Sequence, residues 1–479
     1  MPSPRDSRDS IAGIARPRLD AFLTRERRRF SKARPATRAA LDEGQGAWLG
    51  GVPMHWMKDW PSPFPLVVKK ARGARIEDLD GFGLDDFCLG DTGSMFGHSP
   101  APVARAIRKQ ATRGLTYMLP DRAALRVGEL LNARFGAMYW QIATTATDAN
   151  RNALRVARAV TGRRKVLVFN GAYHGTLQDT MVALQGGRTV ARPGLVGQGF
   201  DLTEGAICCE FNDLKGVAQA LESGEVAAIL TEPVMTNSCM VLPAPGFLDG
   251  LRALADAHGA LLIIDETHTI SSGLGGYARV HGLRPDMLVI GKCVAGGMPT
   301  AVWGLTPALA ERFAAYDAAR PAGHSGMGTT LSANPMQFAC LEATLAEVMT
   351  PEAYADMEAG AERLQAGLAR VIARHGLDWH VVRVGARVEF ICAPGPLQDG
   401  AQAALARVVA PGDAPVVYAG FSAGGLAAYL AAASDPRAVA YLGLDAVDSG
   451  GLARSVAPIA GPALFLVAEP SRCNAGGNF

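Results

Sequence analysis

LLIIDETHT (261–269) and IGKCVAGGMP (290–299) decide how this chain reads. Each opens on or follows a short aliphatic, β-branched run, too brief for a helix and bounded by turn-forming residues, which predicts a buried strand. The first run closes on Asp265 and the second on Lys292, the last lysine of the chain. Similar runs stand upstream at VLVF (166–169) and AAILTEPV (227–234), and helix-like segments such as GFLDGLRALADAHG (246–259) alternate with them. That rhythm predicts an α/β domain with a mainly parallel sheet, whose ligands gather at the carboxyl ends of the strands.

A lysine and an aspartate at the ends of successive buried strands are the two groups a pyridoxal phosphate site requires. Lys292 can form a Schiff base with the cofactor aldehyde, and Asp265 can keep the pyridine nitrogen protonated so that the ring accepts electrons. The lysine must be partly desolvated to serve, and the apolar run before it and Gly296 and Gly297 after it fit that need. A lysine at a strand end more commonly reaches out into water, so other pieces must fall into place. TTATDAN (144–150) opens the amphipathic helix RNALRVARAVTG (151–162), and such a start is either a simple cap or a phosphate cradle. Tyr173 and His174 follow the VLVF strand, where an aromatic ring can stack on a pyridine. Glu232 closes a buried strand with a carboxylate, and GTTLSANP (328–335) carries hydroxyls able to reach a phosphate.

The order of these motifs resembles the class III aminotransferases, the fold type I group of pyridoxal phosphate enzymes that includes glutamate-1-semialdehyde aminomutase. The resemblance runs from about Gly50 to about Gly395, roughly seven-tenths of the chain, through GGVP (50–53), ARIEDLDG (74–81), GDTGSMFGHSP (90–100), NGAYHG (170–175), TEPV, IIDETHT, PDMLVIGKCVAGGMP (285–299) and TLSANP. It implies that Lys292 is the Schiff-base lysine and Asp265 the partner of the pyridine nitrogen. Ala146 and Thr147 would bind the phosphate, Tyr173 would stack on the ring, and His174 and Glu232 would complete the cofactor site. Thr330 would reach the phosphate across a homodimer interface. His268 stands where many relatives have glutamine, and Ala146 and Asp148 where the commoner pattern has glycine and glutamate. Trp56 and Trp60 fall in the segment that approaches the substrate in relatives, or are ordinary packing residues. The implied activity is transfer of an amino group between an amino donor and an oxo acid. Intramolecular amino transfer, as in the aminomutase, and racemisation are the alternatives within the group.

Composition agrees with a large core. The chain has 479 residues, 49% hydrophobic and 19% charged, enough for more than one domain. Apolar runs fall short of the roughly 20 residues needed to cross a bilayer and the N-terminus lacks a signal-peptide core, so a cytoplasmic protein is expected. The cysteines form neither a CxxC pair nor a regular spacing, which predicts no metal site and no disulfide framework. Cys293 reads as small buried packing. Residues 1–40 carry ten arginines and one lysine against four acids, but Ile14, Leu19, Phe22 and Leu23 are interleaved with them. That pattern suits a solvated helix on a dimer surface better than a nucleic-acid arm.

Four segments are expected: an N-terminal arm over 1–73, a cofactor-binding large domain over 74–335, a truncated small domain over 336–400, and a foreign tail over 401–479. The tail's VVYAGFSAGG (416–425) followed by LAAYLAAA (426–433) has the strand, GxSxG and helix order of the α/β-hydrolase nucleophile elbow. From about 405 to 479 it resembles a fragment of a chlorophyllase-like or dienelactone-hydrolase-like enzyme. Ser422 would be the nucleophile, yet the last histidine of the chain is His380, upstream of it, so an esterase lacks its base. A cofactor-binding chimera without turnover is the remaining reading.

Overall fold

The computed structural model describes residues 10–11, 14–60, 62–374, 376–406, 416–421, 438–444 and 463–466. At its centre is a seven-stranded sheet in the spatial order Ala206–Cys209, Lys165–Phe169, Val226–Thr231, Leu261–Asp265, Met287–Ile290, Ala301–Leu305 and Tyr139–Ala143. The first four pairings across it are parallel, and only Ala301–Leu305 runs against its two neighbours. Six strands therefore point the same way, and their carboxyl ends share one edge. The mainly parallel sheet read from the sequence is present.

The strands are near-continuous apolar runs because both faces of the sheet are covered. Along Leu261–Asp265 the alternation is visible residue by residue: Leu262 and Ile264 pack into one buried cluster, Leu261 and Ile263 into the other. On the first face Phe169, Phe211 and Phe247 meet edge to face, with ring centroids 4.7–5.7 Å apart. On the second, the helix Ala146–Thr161 buries Ala149, Ala153, Leu154, Val156 and Ala157. That helix starts three residues after the end of Tyr139–Ala143 and ends at Gly162, a left-handed cap that glycine adopts without steric cost. Its start is thereby fixed at the carboxyl edge of the sheet.

Outside the sheet lie the helix Pro351–Arg374 and the antiparallel hairpin His380–Val384 with Arg387–Ile391, in the stretch assigned from the sequence to a small domain. Two helices, Arg16–Ala33 and Pro35–Gly44, form the arm. Arg34 donates to the fully buried Asp78 at 2.9 Å and lies over the rings of Phe30 and Phe82, which ties the arm to the strands Val68–Arg72, Arg75–Asp78 and Gly83–Asp85. The division expected at residue 73 falls inside this small sheet. Val416–Phe421, Ala438–Leu444 and Ala463–Leu466 pair in parallel in that order. Ser422 and the helix expected after it lie outside the described residues. The hydrolase-like reading of the tail gains no support from the residues that are described.

Replacing Phe169, wholly buried at the meeting point of the three rings, by alanine is expected to lower the unfolding free energy by about 3–5 kcal/mol. Urea unfolding followed by fluorescence measures this, and a loss under about 1 kcal/mol would mean that the cluster does not anchor the sheet.

Candidate active site

The carboxyl edge of the sheet borders a cavity of about 370 Å³. Its walls include Thr144 to Thr147 from the start of the Ala146–Thr161 helix, Tyr173 and Gly175, Glu232, Asp265, Thr267, His268 and Lys292. Residues as far apart in sequence as Gly90 and Thr300, 210 positions, meet at the edge on which six strands end.

Asp265 is the most strictly held of them. Its side chain is almost wholly buried, and it accepts from Asn150 Nδ2 at 2.9 Å, from His174 Nδ1 at 2.9 Å and from the Thr267 amide at 3.0 Å. Burial alone would raise its pKa, but His174 foremost, with Thr267 and Asn150, outweighs burial and holds the carboxyl below its ordinary range. A buried, ionised carboxylate thus borders the cavity.

Lys292 follows the Met287–Ile290 strand on a short turn, at φ +48°. Its side chain keeps 22% of its exposure, and Nζ donates to Asp91 Oδ2 at 2.7 Å. His268 lies beside this pair, its Nδ1 2.9 Å from Thr92 Oγ1 and 3.4 Å from Arg387 Nη1. Burial first, then the charges of Lys292 and Arg387, push its imidazole strongly towards the neutral form. Glu232 is buried, and that burial lifts its carboxyl to about 8 despite a hydrogen bond from Thr236. Burial likewise lifts Tyr173, with the charge of Asp91 adding to it.

Three observations fit a phosphorylated ring compound. The first turn of a helix leaves its amides without intrahelical partners, so Ala146 and Thr147 offer N–H groups at the positive end of the helix dipole. Two loops close on that turn so tightly that only glycine fits: a Cβ on Gly175 would come 2.1 Å from Thr147 Oγ1, and one on Gly291 2.9 Å from the Ala146 Cβ. Finally, Thr267 and Glu232 border the cavity, and their buried Oγ1 and Oε1 find no hydrogen-bond partner among the described residues, the condition expected where a bound molecule completes the site.

Comparison with known proteins agrees with this geometry. The pattern of the family "Aminotransferase class-III" matches residues 56–387. The chain belongs to the class-III aminotransferases. It is 32% identical over 370 residues to glutamate-1-semialdehyde 2,1-aminomutase 1 of Bacillus cereus (strain G9842), covering 75% of this chain and 84% of that one. A crystal structure of a glutamate-1-semialdehyde aminomutase from Pseudomonas aeruginosa PAO1 superposes with a TM-score of 0.78 at 47% identity, over 81% of this chain and 86% of that one. A second structure of that protein is a lysine-to-alanine variant in complex with PMP. A β-phenylalanine aminotransferase from Variovorax paradoxus aligns at 27% identity with a TM-score of 0.69, over 81% of this chain and 89% of that one. The chain is accordingly a pyridoxal-phosphate-dependent class-III enzyme.

Of the residues expected at the site, Lys292, Asp265, Ala146, Thr147, Tyr173, His268 and Glu232 all border the cavity. His174 does not. It lies behind Asp265, which it fixes by a hydrogen bond, and so its effect on a cofactor is indirect. Thr330 is exposed and outside the cavity wall of the single chain, although Ser332, two residues on, reaches Thr144 Oγ1 at 3.3 Å. Trp56 and Trp60 line a separate apolar cleft with Trp48, Met57 and Leu66. Cys293 is wholly buried and its thiol is pushed up to about 12, as expected of packing.

Sequence reading missed Asn150, Asp91, Thr92 and Arg387. Helical spacing from Ala146 would have found Asn150, one turn on and on the same face. Asp91 lay in the GDTGSMFGHSP motif without a role, and no local signal marks Arg387.

Gly175→Ala is expected to weaken cofactor binding at least tenfold, because φ is +80° there and the new methyl would displace Thr147. Fluorescence titration of cofactor-free protein with pyridoxal phosphate reads the effect; unchanged affinity would remove Thr147 from the cradle. A second expectation concerns Glu232. Its folded-state pKa lies above the unfolded value, so the stability it contributes is complete below about pH 4 and is lost as pH rises towards 8. Glu232→Gln should flatten the fall in urea midpoint between pH 5 and 8, and an unchanged slope would contradict the buried neutral form.

Proposed function

We propose that this chain moves an amino group between an amino acid or amine and an oxo acid, with Lys292 as the anchoring amine and the cavity at the carboxyl edge of the sheet as the site. The observation that carries this reading is the pairing of a buried, ionised Asp265 with Lys292 across one cavity. Pyridoxal phosphate, when bound, supplies an electron-accepting ring for the carbon that carries the amino group.

The residues present divide the work. Ala146 and Thr147 bind the phosphate with the helix amides. Asp265 holds a proton on the pyridine nitrogen, and it does so at neutral pH because His174, Asn150 and Thr267 keep it charged. Tyr173 lines the cavity where it would lie against the ring, and neutral His268 would border the ring without adding a second positive charge. Lys292 Nζ would be the group that takes up and returns a proton when its amine is free. Thr330 completes the phosphate site of the neighbouring subunit in a cytoplasmic homodimer. We divide the chain into the arm 1–73, the large domain 74–335, the small-domain segment 336–400 and the tail 401–479.

A second reading is intramolecular transfer, favoured by the aminomutases at 47% and 32% identity. Glutamate-1-semialdehyde supplied alone separates the two: an aminomutase converts it without a second substrate, whereas a transaminase needs a donor and an acceptor together. Racemisation and a chimera without turnover have no observation in their favour. Neither has the esterase, since Ser422 lies outside the described residues.

Lys292→Ala is expected to abolish turnover and to remove the visible absorption band that pyridoxal phosphate acquires on the wild-type protein. Asp265→Asn should keep the bound cofactor but lower kcat by at least about 100-fold, an electrostatic contribution of about 2.7 kcal/mol. Stopped-flow or coupled assays of alanine-to-oxo-acid transfer measure both, and a Lys292→Ala protein with wild-type turnover would overturn the assignment.

A further inference from the structure

The carboxylate nearest to Lys292 is Asp91, 2.7 Å from Nζ, while Asp265 has its hydrogen bonds satisfied by Asn150, His174 and the Thr267 amide. The two partners of that ion pair share an uncommon backbone. Leu89, Gly90, Asp91 and Thr92 lie at φ +51°, +55°, +53° and +74°, and Lys292 itself at +48°. Left-handed conformation costs a non-glycine residue about 1–2 kcal/mol, so four strained non-glycine residues stand at the two ends of one salt bridge. Surrounding structure holds them there. Asp86 accepts from the Cys88 and Leu89 amides at 2.9 Å, Ser94 N donates back to Leu89 O at 2.8 Å, and Thr92 Oγ1 is held by His268 and Arg387. Strain retained at this expense marks a functional position.

The charged and titratable groups facing Asp91 come from four other elements. They are Lys292 on the turn after its strand, His268 with Nε2 at 4.0 Å, Arg387 from the hairpin, and Tyr173 from the loop after Lys165–Phe169. Burial would raise the Asp91 carboxyl, but the charges around it, His268 when protonated and then Lys292 and Arg387, bring it below its ordinary range. With His268 held neutral, Lys292 and Arg387 are the cations it faces, and Arg387 already lies at 3.3–3.4 Å from Glu389. Asp91 keeps 65% of its side-chain exposure, so it can remain ionised whether or not the lysine amine is free.

We propose that Asp91 is a positioning residue of the transfer reaction, which holds the free Lys292 amine at one place on the cavity wall through their ion pair. The inference rests on Lys292 being the anchoring amine. It explains why a lysine that must leave and rejoin a cofactor does not swing into solvent: each time Nζ is released, a fixed carboxylate recaptures it at one place.

The test uses the enzyme loaded with pyridoxamine phosphate, in which the lysine amine is free. Competitive acetylation across pH 6–11, read at Lys292 by peptide mass spectrometry, gives the midpoint of its reactivity. Asp91→Asn is expected to move that midpoint down, because loss of an adjacent opposite charge favours the free amine. It should also lower kcat about tenfold, leave KM within about twofold and shift the pH profile of kcat the same way. Asp91→Glu should restore the midpoint in part, which a merely structural role would not do. An Asp91→Asn midpoint that matches wild type, or a change confined to KM, would overturn the proposal and make Asp91 a bystander or a substrate contact. Failure of the lysine assignment is read separately, from a cofactor absorption band that survives in Lys292→Ala.

Discussion

A single buried negative charge organises this molecule. An isolated carboxylate taken out of water costs several kcal/mol, and each hydrogen bond to an ionised group returns about 1.5–3 kcal/mol. Asp265 needs all three of its donors to remain charged, and those donors come from three places: a helix face, the loop after another strand, and its own chain two residues on. Asn150 can reach it only if the Ala146–Thr161 helix starts where it does. His174 can reach it only if the NGAYHG loop folds back over the strand ends. Satisfying one carboxylate therefore fixes the positions of the phosphate cradle and of the ring-facing tyrosine together.

The same edge holds acids in opposite states. Asp265 is kept charged by donors, whereas Glu232, equally buried but with one oxygen unpartnered, is lifted to about 8. Glu266, next to Asp265 in sequence, is lifted to about 7 although Thr269 and the Tyr277 and Ala278 amides bond to it. Environment rather than residue type separates these roles. At neutral pH the cavity presents one firmly ionised acid beneath it, a neutral imidazole, and the Asp91–Lys292 pair at its wall. Such an arrangement can hold a proton on one atom and move it at another without the two sites exchanging it.

Much of this was legible in the sequence where chemistry and periodicity coincide. Strands such as LLIID and MLVI announce themselves because both faces are buried, and their closing polar residues mark the edge on which a ligand sits. The cradle was legible as a helix start. What could not be read was contact across long separations. Asn150 and Asp265 lie 115 residues apart, and Arg387 reaches His268 over 119. Local pattern carries no trace of such pairs, since they depend on how far the helix and the hairpin are carried by packing. His174 shows the reverse case: its place in a motif suggested a residue facing the cavity, while its ring lies 2.9 Å from Asp265.

The conformational cost at the site is also unevenly placed. Asp265 ends a strand and Ala146 and Thr147 open a helix, elements of regular backbone packed between the two buried clusters. Of the non-glycine residues at and beside the cavity, those in left-handed conformation lie in the Leu89–Thr92 turn and at Lys292. A rigid floor with a strained partner pair above it is the division expected when one group must stay fixed while another repeatedly detaches and returns. Relaxing Lys292 to a right-handed turn would swing Nζ away from Asp91, and relaxing Leu89–Thr92 would withdraw both the carboxylate and the Thr92 hydroxyl that faces His268. The ion pair and the imidazole are thus coupled through one short turn, since Asp91 holds Lys292 and Thr92 Oγ1 lies 2.9 Å from His268 Nδ1.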